Sequence, residues 1–398
     1  MRSGNRLFAS ESFRKDKLIY LDNNATTRLA PEVRAALLPL LDEEYGNPSS
    51  KNAPGQRAKE RVMMARQSVA SALGAAQADV VFTGSATEAN HHAILGALQH
   101  FNGTRRHIVS SSVEHPSTLK LLRWLEERGL TVTLLKVDAN GALDLGELEA
   151  AVNDDTALVS IMWANNETGV IFPVERIAQL AKSRGALFHT DAVQAVGRLP
   201  LDWKHSAIDL LSFSGHKLHA PKGIGALLQR KNLNLTPLLF GSQERNRRGG
   251  TENMLGIVGL GVAATLLDMG AQERLGKLCD RMEQRIVSSV SFASINGRHA
   301  PRVGNTSNIQ FGELNAEALL VHLERAGIIA SNGAACQAGG SHASHVLTAM
   351  GLNQTAARAS LRFSLSRYNS DAEIERATGV IIATALELAW QDSELNVF

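Results

Sequence analysis

The stretch Val81-Phe82-Thr83-Gly84-Ser85-Ala86-Thr87-Glu88 decides the fold class. Three residues that favour a strand run into a loop of small residues, and a helix-start signature follows. A strand feeding a helix through so short a loop is half of a βαβ crossover. Outward from it, from about residue 31 to 270, the same alternation repeats. Segments 80–83, 107–110, 131–136, 158–162, 187–190, 210–214 and 225–228 read as buried strands, and 86–100, 117–128, 145–152 and 174–184 as helices between them. Strands alternating with helices imply right-handed crossovers and a mostly parallel, seven-stranded sheet covered on both faces. The fold class is α/β.

Beyond residue 270 the texture changes. Helical 273–288 precedes strand-like 305–311, helical 316–326, the Cys336 loop, the segment 344–350, strand 360–364 and helix 371–390, a pattern that reads as a smaller α+β domain. The extended Ile19-Tyr20-Leu21-Asp22 is expected to pack with it. The reading thus divides the chain into an N-terminal segment 1–30, a large domain 31–270 and a small domain 271–398. The 398 residues carry 41 basic and 39 acidic side chains, a balance with no footprint for nucleic acid or an anionic membrane. The two cysteines, Cys279 and Cys336, argue against a disulfide framework and for a reducing cytoplasm. Residues 1–17 are polar and lack the apolar core of a signal peptide, and no apolar run approaches the roughly 20 residues of a membrane span.

Ligands of such sheets gather at the C-terminal strand ends. The helix start at Ala86 and Thr87 offers free N–H groups, a favourable dipole and a hydroxyl to a phosphate, although a capped helix reads the same way. His115, before Pro116, puts a flat imidazole near the sheet edge, where it can stack on a planar ring or simply face solvent. Asn165-Asn166-Glu167-Thr168-Gly169 places amides after the strand 158–162. Asp191, ending a buried strand, needs a cationic partner to offset its desolvation. A protonated pyridine nitrogen is one, and Gln194 lies within reach of a ring hydroxyl. Lys217, flanked by Ser214 and His216, can form a Schiff base, against the bland alternative of a surface lysine before Pro221-Lys222-Gly223. Phosphate loop, stacking histidine, aspartate and lysine in this order describe a pyridoxal 5'-phosphate pocket.

A second element concerns sulfur. Cys336 lies in Ser331-Asn332-Gly333-Ala334-Ala335-Cys336-Gln337-Ala338-Gly339-Gly340, where small and glycine neighbours leave a thiol accessible. His115, His342 and His345 are possible cations to favour its thiolate. Cys279, in a helix-like segment, reads as core. Arg362, on the face of 360–364 opposite Leu361 and Phe363, suits a substrate carboxylate. The run from Gly241 through Arg245, Arg247 and Arg248 to Thr251 reads equally as a solvated face or as a phosphate clamp offered to a second subunit.

These motifs resemble the NifS/IscS-type cysteine desulfurases, within the class V aminotransferase-like enzymes of PLP fold type I. The resemblance runs nearly end to end. It rests on Tyr20-Leu21-Asp22-Asn23-Asn24-Ala25-Thr26-Thr27, Val113-Glu114-His115-Pro116, Asn165-Asn166-Glu167, Asp191-Ala192-Val193-Gln194, residues 212–217, the arginine-rich loop to Thr251 and Leu361-Arg362-Phe363-Ser364-Leu365-Ser366-Arg367. It implies a cofactor linked to Lys217, with Asp191 on the ring nitrogen, Gln194 on the ring hydroxyl and His115 stacked on the ring. Ala86, Thr87, Ser214 and His216 would hold the phosphate, joined by Thr251 of the partner in a homodimer. Asn166 and Arg362 would hold the carboxylate of L-cysteine. Cys336 would take the sulfur as a persulfide, release alanine and serve a sulfur-acceptor protein in iron–sulfur assembly or nucleic-acid thiolation. Two departures stand out: Gly84-Ser85-Ala86 where Ser-Gly-Ala is common, and a Cys336 segment without neighbouring serines. The alternatives are a selenocysteine lyase or another class V PLP aminotransferase, and, from a different class, a non-catalytic assembly subunit.

Overall fold

The computed structural model describes residues 18–333 and 343–395. Strand β1 (Ile19–Tyr20) opens the described chain, and the next seven strands build one sheet: β2 (Val80–Thr83), β3 (His107–Ser111), β4 (Thr131–Leu135), β5 (Thr156–Ser160), β6 (Leu187–Asp191), β7 (Leu210–Ser214) and β8 (Gly225–Gln229). Their order is β2-β8-β7-β6-β5-β3-β4. Neighbours from β7 to β4 are parallel, while β8 runs antiparallel to both β7 and β2. The seven expected strands are present and the sheet is mostly parallel. The largest shift is at β5, which starts and ends two residues earlier than its apolar run suggests, while the ends of β3, β4, β6 and β8 move by one. Past Ser160 the regular pairing stops, although Ile161 and Trp163 still donate to the β6 carbonyls of His189 and Asp191, and the Met162 N–H donates to the buried Glu114 carboxyl at 2.9 Å.

Apart from the edge strand β4, the strands of this sheet are buried on both faces, which explains their continuous apolar runs. Val81, Ile108, Leu158, Leu187, Leu210 and Leu227 pack under helices Ala86–His100 and Pro116–Glu126. Their sequence neighbours Val80, Val109, Val159, Phe188, Leu211 and Leu228 face a second core under helices Ala53–Ala72, Val174–Ser183 and Met254–Thr265. A third core joins helices Met269–Ser289, Ala316–Arg325 and Asp371–Leu395 to a small antiparallel sheet of β9 (Ala293–Ile295), β10 (Thr306–Phe311) and β12 (Ser360–Ser364). Ile19 and Leu21 belong to that core, and β1 pairs in parallel with β11 (Ile328–Ile329). Among the described residues no single helix is long and apolar enough to cross a membrane.

The arginine-rich loop is turned onto its own chain. Edge strand β2 would otherwise expose backbone groups to aggregation. Arg66, Arg245 and Arg247 donate to the Val80 carbonyl, and the Phe82 N–H donates to Glu244. Glu244, Arg245 and Asn246 all take positive φ (48°, 60° and 63°) to bring these groups in. Glu244 and Arg66 form a bidentate pair at 2.5 and 2.7 Å, nearly sealed from solvent. Glu244→Ala strands a buried guanidinium and is expected to cost about 3–5 kcal/mol in urea unfolding. A loss below about 1 kcal/mol would show that the loop, not the pair, protects the edge.

Candidate active site

A cavity of ≈ 490 Å³ opens at the C-terminal ends of the central strands, within the range of small-molecule sites. Helix Ala86–His100 points its N-terminus into it. Ser85 takes an extended backbone (φ −170°) and accepts a hydrogen bond from the Glu88 N–H at 3.1 Å. The departure Gly84-Ser85-Ala86 therefore supplies the helix cap itself. Ala86 and Thr87, in the first turn, lack intrahelical acceptors and line the cavity. Ser214 and His216 line the same end. β8 passes so close that a Cβ on Gly225 would lie 2.8 Å from the Ala86 nitrogen, so this position requires glycine. His216 shares a hydrogen with Thr26 Oγ1 at 3.2 Å; burial, then Lys217 and Lys222, lower its pKa to about 4.

Asp191 ends β6 at the floor. Its Oδ2 accepts from Asn90 Nδ2 at 2.7 Å and its Oδ1 from the Val193 N–H at 3.0 Å. His115 caps helix Pro116–Glu126: Nδ1 accepts from the Ser117 N–H at 3.2 Å, leaving the ring proton to Nε2. Burial lowers the His115 pKa, with Asp191 opposing and Lys217 and His345 adding to the fall, so the ring is a neutral plate. Lys217 sits on the short turn Gly215–Lys217 that follows β7, where its Nζ donates to the carbonyls of Asn24 (2.5 Å) and Ala25 (2.6 Å). Gln194 donates Nε2 to the same Asn24 carbonyl at 3.2 Å, its Oε1 accepting from Arg198.

Arg362 approaches from β12 and is 2% exposed. Its Nη2 donates to Asp22 Oδ1 at 2.6 Å and its Nη1 to the Asn166 carbonyl at 3.0 Å, while its buried Nε finds no partner among the described residues. Thus Ala86, Thr87, His115, Asn166, Asp191, Gln194, Ser214, His216, Lys217 and Arg362 all border one cavity. Thr251 does not; it is exposed on the arginine-rich loop. Cys336 and His342 lie outside the described residues, although Gly333, three positions before Cys336, lines the cavity. His345 shares a hydrogen with the Glu114 carbonyl at 3.0 Å. Cys279 is buried, as expected of a core residue, and burial raises its pKa.

The sequence reading did not single out Asn90, Asp22 or Asn24 as site residues. Asn90 follows Thr87 by three positions on one helix, a spacing that puts both on the same face and could have revealed it. Asp22 and Asn24 reach the site across more than 140 residues of sequence, and nothing local signals that.

The donor set fits pyridoxal phosphate: a helix start for the phosphate, a buried carboxylate at the floor and a lysine beside it. Asn90 Oδ1 and Arg362 Nε, without a partner among the described residues, mark polar groups that a bound molecule would satisfy. Comparison with known proteins agrees. The Aminotransferase class-V model matches residues 19–377. The chain belongs to that family, whose members are pyridoxal-phosphate-dependent. Within it, the chain belongs with the NifS-type cysteine desulfurases. It is 49% identical over 368 residues to a cysteine desulfurase of Trichormus azollae, covering 92% of each chain. To cysteine desulfurase NifS of Azotobacter vinelandii it is 47% identical over 363 residues, covering 90% of each. Among solved structures, a NifS-like protein superposes with a TM-score of 0.85 at 34% identity, covering 92% of this chain and 98% of that one. DndA from Streptomyces lividans superposes at 0.72 with 36% identity, covering 87% and 99%.

Proposed function

We propose that this chain is a pyridoxal-phosphate-dependent cysteine desulfurase that forms L-alanine and a Cys336 persulfide. The supporting observation is the cavity that gathers His115, Asp191, Lys217 and Arg362 from four separate strand ends and loops. The bound cofactor supplies an electron sink that acidifies the hydrogen on the substrate's α-carbon. Asp191, its second oxygen fixed by Asn90, holds the ring nitrogen protonated. His115 presents its neutral face to the ring, and Gln194 donates toward the ring oxygen. Ala86, Thr87, Ser214 and His216 hold the phosphate, with Thr251 offered by the second copy of a homodimer. Lys217 anchors the cofactor and moves the proton as base and acid.

Asn166 and Arg362 hold the carboxylate of L-cysteine. The Cys336 thiolate attacks the substrate sulfur: an S–S bond forms, the Cβ–S bond breaks, and a proton is taken up at Cβ to complete alanine. The persulfide is then passed to an acceptor protein in the cytoplasm. In this reading the parts divide at about residues 30 and 270, with the cofactor held by the middle part and the sulfur carried by the last.

The test is to purify the chain, record its visible spectrum, add L-cysteine, and assay alanine and protein-bound persulfide, with Cys336→Ala alongside. Wild type is expected to be yellow and to release alanine. Cys336→Ala should keep the colour and lose both products. Unchanged alanine release in the mutant would remove Cys336 from the mechanism.

A further inference from the structure

We infer that Glu88 and Arg248 are positioning residues for the cofactor's phosphate: Glu88 folds the turn that receives it, and Arg248 cancels the charge this fold places there. The inference rests on the reading of Ala86 and Thr87 as phosphate contacts. It adds to that reading two side chains that do not themselves border the cavity.

The turn between β2 and helix Ala86–His100 is closed by its own side chains. Thr83 Oγ1 donates to the Ser85 carbonyl at 2.8 Å, and Ser85 Oγ accepts from the Glu88 N–H at 3.1 Å. In the usual capping box the third helical residue returns its carboxylate to the N–H of the capping residue. Here Glu88 reaches one residue further back, and its Oε2 accepts from the Gly84 N–H at 2.8 Å. The Ala89 N–H goes to the Ser85 carbonyl at 3.1 Å. Among the described residues, the N–H groups of Ser85, Ala86 and Thr87 are then left without an acceptor, and all three residues line the cavity. Three successive free N–H groups at a helix start make an anion cup, and the Glu88 side chain decides which three.

A carboxylate in that first turn carries a conflict. It suits the helix dipole but repels a phosphate seated on the same N–H groups. Arg248 resolves this from outside the cavity. Its Nε donates to Glu88 Oε1 at 2.8 Å and its Nη2 to Oε2 at 3.3 Å, so Oε2 accepts from Gly84 and Arg248 together. Arg248 is held in place by its neighbours: the Gly249 N–H donates to the Leu239 carbonyl at 2.7 Å, and Arg247 Nη2 to the Ala78 carbonyl at 2.8 Å. The order Gly84-Ser85 fits this arrangement, with serine where the helix needs its cap and glycine where the Glu88 carboxylate folds back.

The test strips the full chain of cofactor and titrates it with pyridoxal 5'-phosphate and, separately, with pyridoxal, which lacks the phosphate. Binding is read from the visible spectrum. Arg248→Met leaves the Glu88 charge uncompensated, so affinity for pyridoxal 5'-phosphate should fall about 10- to 100-fold while affinity for pyridoxal stays within about twofold. Glu88→Gln keeps an oxygen for the Gly84 N–H and should lower the phosphate form's affinity by less than about threefold. Adding Glu88→Gln to Arg248→Met removes the stranded charge and should recover most of the lost affinity, the reverse of two additive losses. Should Arg248→Met not fold, Glu88→Ala frees the Gly84 N–H and should weaken pyridoxal 5'-phosphate selectively. A pair that only stabilises the fold behaves differently: both ligands weaken together, and the double variant is no better than Arg248→Met. That pattern, or wild-type selectivity for the phosphate form in Arg248→Met or Glu88→Ala, would overturn the proposal. A wild type that binds both ligands alike would remove the phosphate from this helix start, and the proposal with it, before any variant is read.

Discussion

Lys217→Ala is expected to yield a colourless protein after dialysis, with alanine release from L-cysteine lowered by about 10⁴-fold, the upper range for a positioned acid–base group. The Lys217 ammonium lies on the carbonyls of Asn24 and Ala25, next to the Gln194 amide and above the Asp191 floor. Among the described residues Lys222 is the one other lysine that lines the cavity, five positions beyond Lys217 and past its turn. Lys217→Arg separates charge from chemistry. Arginine keeps a cation for the two carbonyls but forms no covalent link, so it should fold like wild type and be as inactive as the alanine variant. The checks are the visible spectrum, the melting temperature and a stopped alanine assay. A yellow Lys217→Ala protein with turnover within tenfold of wild type would displace Lys217 from its role.

How much of this was legible in the sequence depended on how local the cause is. The buried strands were legible because their runs are apolar on both faces, and helix Ala86–His100 because Ser85 caps it at once. Asp191 stood out because a carboxylate ending an apolar strand needs a partner. The arginine-rich loop was not: 245, 247 and 248 look like a solvated basic patch. Two of them instead complete the exposed edge of β2, while Arg248 pairs with Glu88 at 2.8 Å. Which way such side chains turn depends on the positive-φ residues 244–246, where non-glycine residues give no warning. Helices Pro31–Asp42, Ala53–Ala72 and Met254–Thr265 were likewise not delimited, the last because it is apolar around its whole circumference and shows no period. The Asp22–Arg362 pair joins residues 340 positions apart, brought together where the chain after β1 bridges directly to β12 at Asp22 and Ser364.

That pair sets the second large effect. Arg362→Leu is expected to lower kcat/KM for L-cysteine by about 30- to 5,000-fold, corresponding to the 2–5 kcal/mol lost when one partner of a buried charge pair is truncated. The loss should fall mainly on KM if, as proposed, the guanidinium holds the substrate carboxylate and not the reacting sulfur. Asp22 and the Asn166 carbonyl occupy the two Nη positions from behind, leaving Nε as the buried donor without a partner among the described residues. A substrate carboxylate completes that set, and the Asp22 charge keeps the guanidinium oriented before it arrives. Arg362→Lys restores a charge but not a fork, so it should recover less than a tenth of the lost affinity. Asp22→Asn keeps the hydrogen bond while removing the countercharge, so it should raise KM less than Arg362→Leu does. All three variants should stay yellow, since Arg362 and Asp22 touch neither Lys217 nor Asp191. A bleached Arg362→Leu protein would mean that the arginine holds the cavity together rather than the substrate. An unchanged KM in a yellow Arg362→Leu protein would place the cysteine carboxylate elsewhere in the cavity.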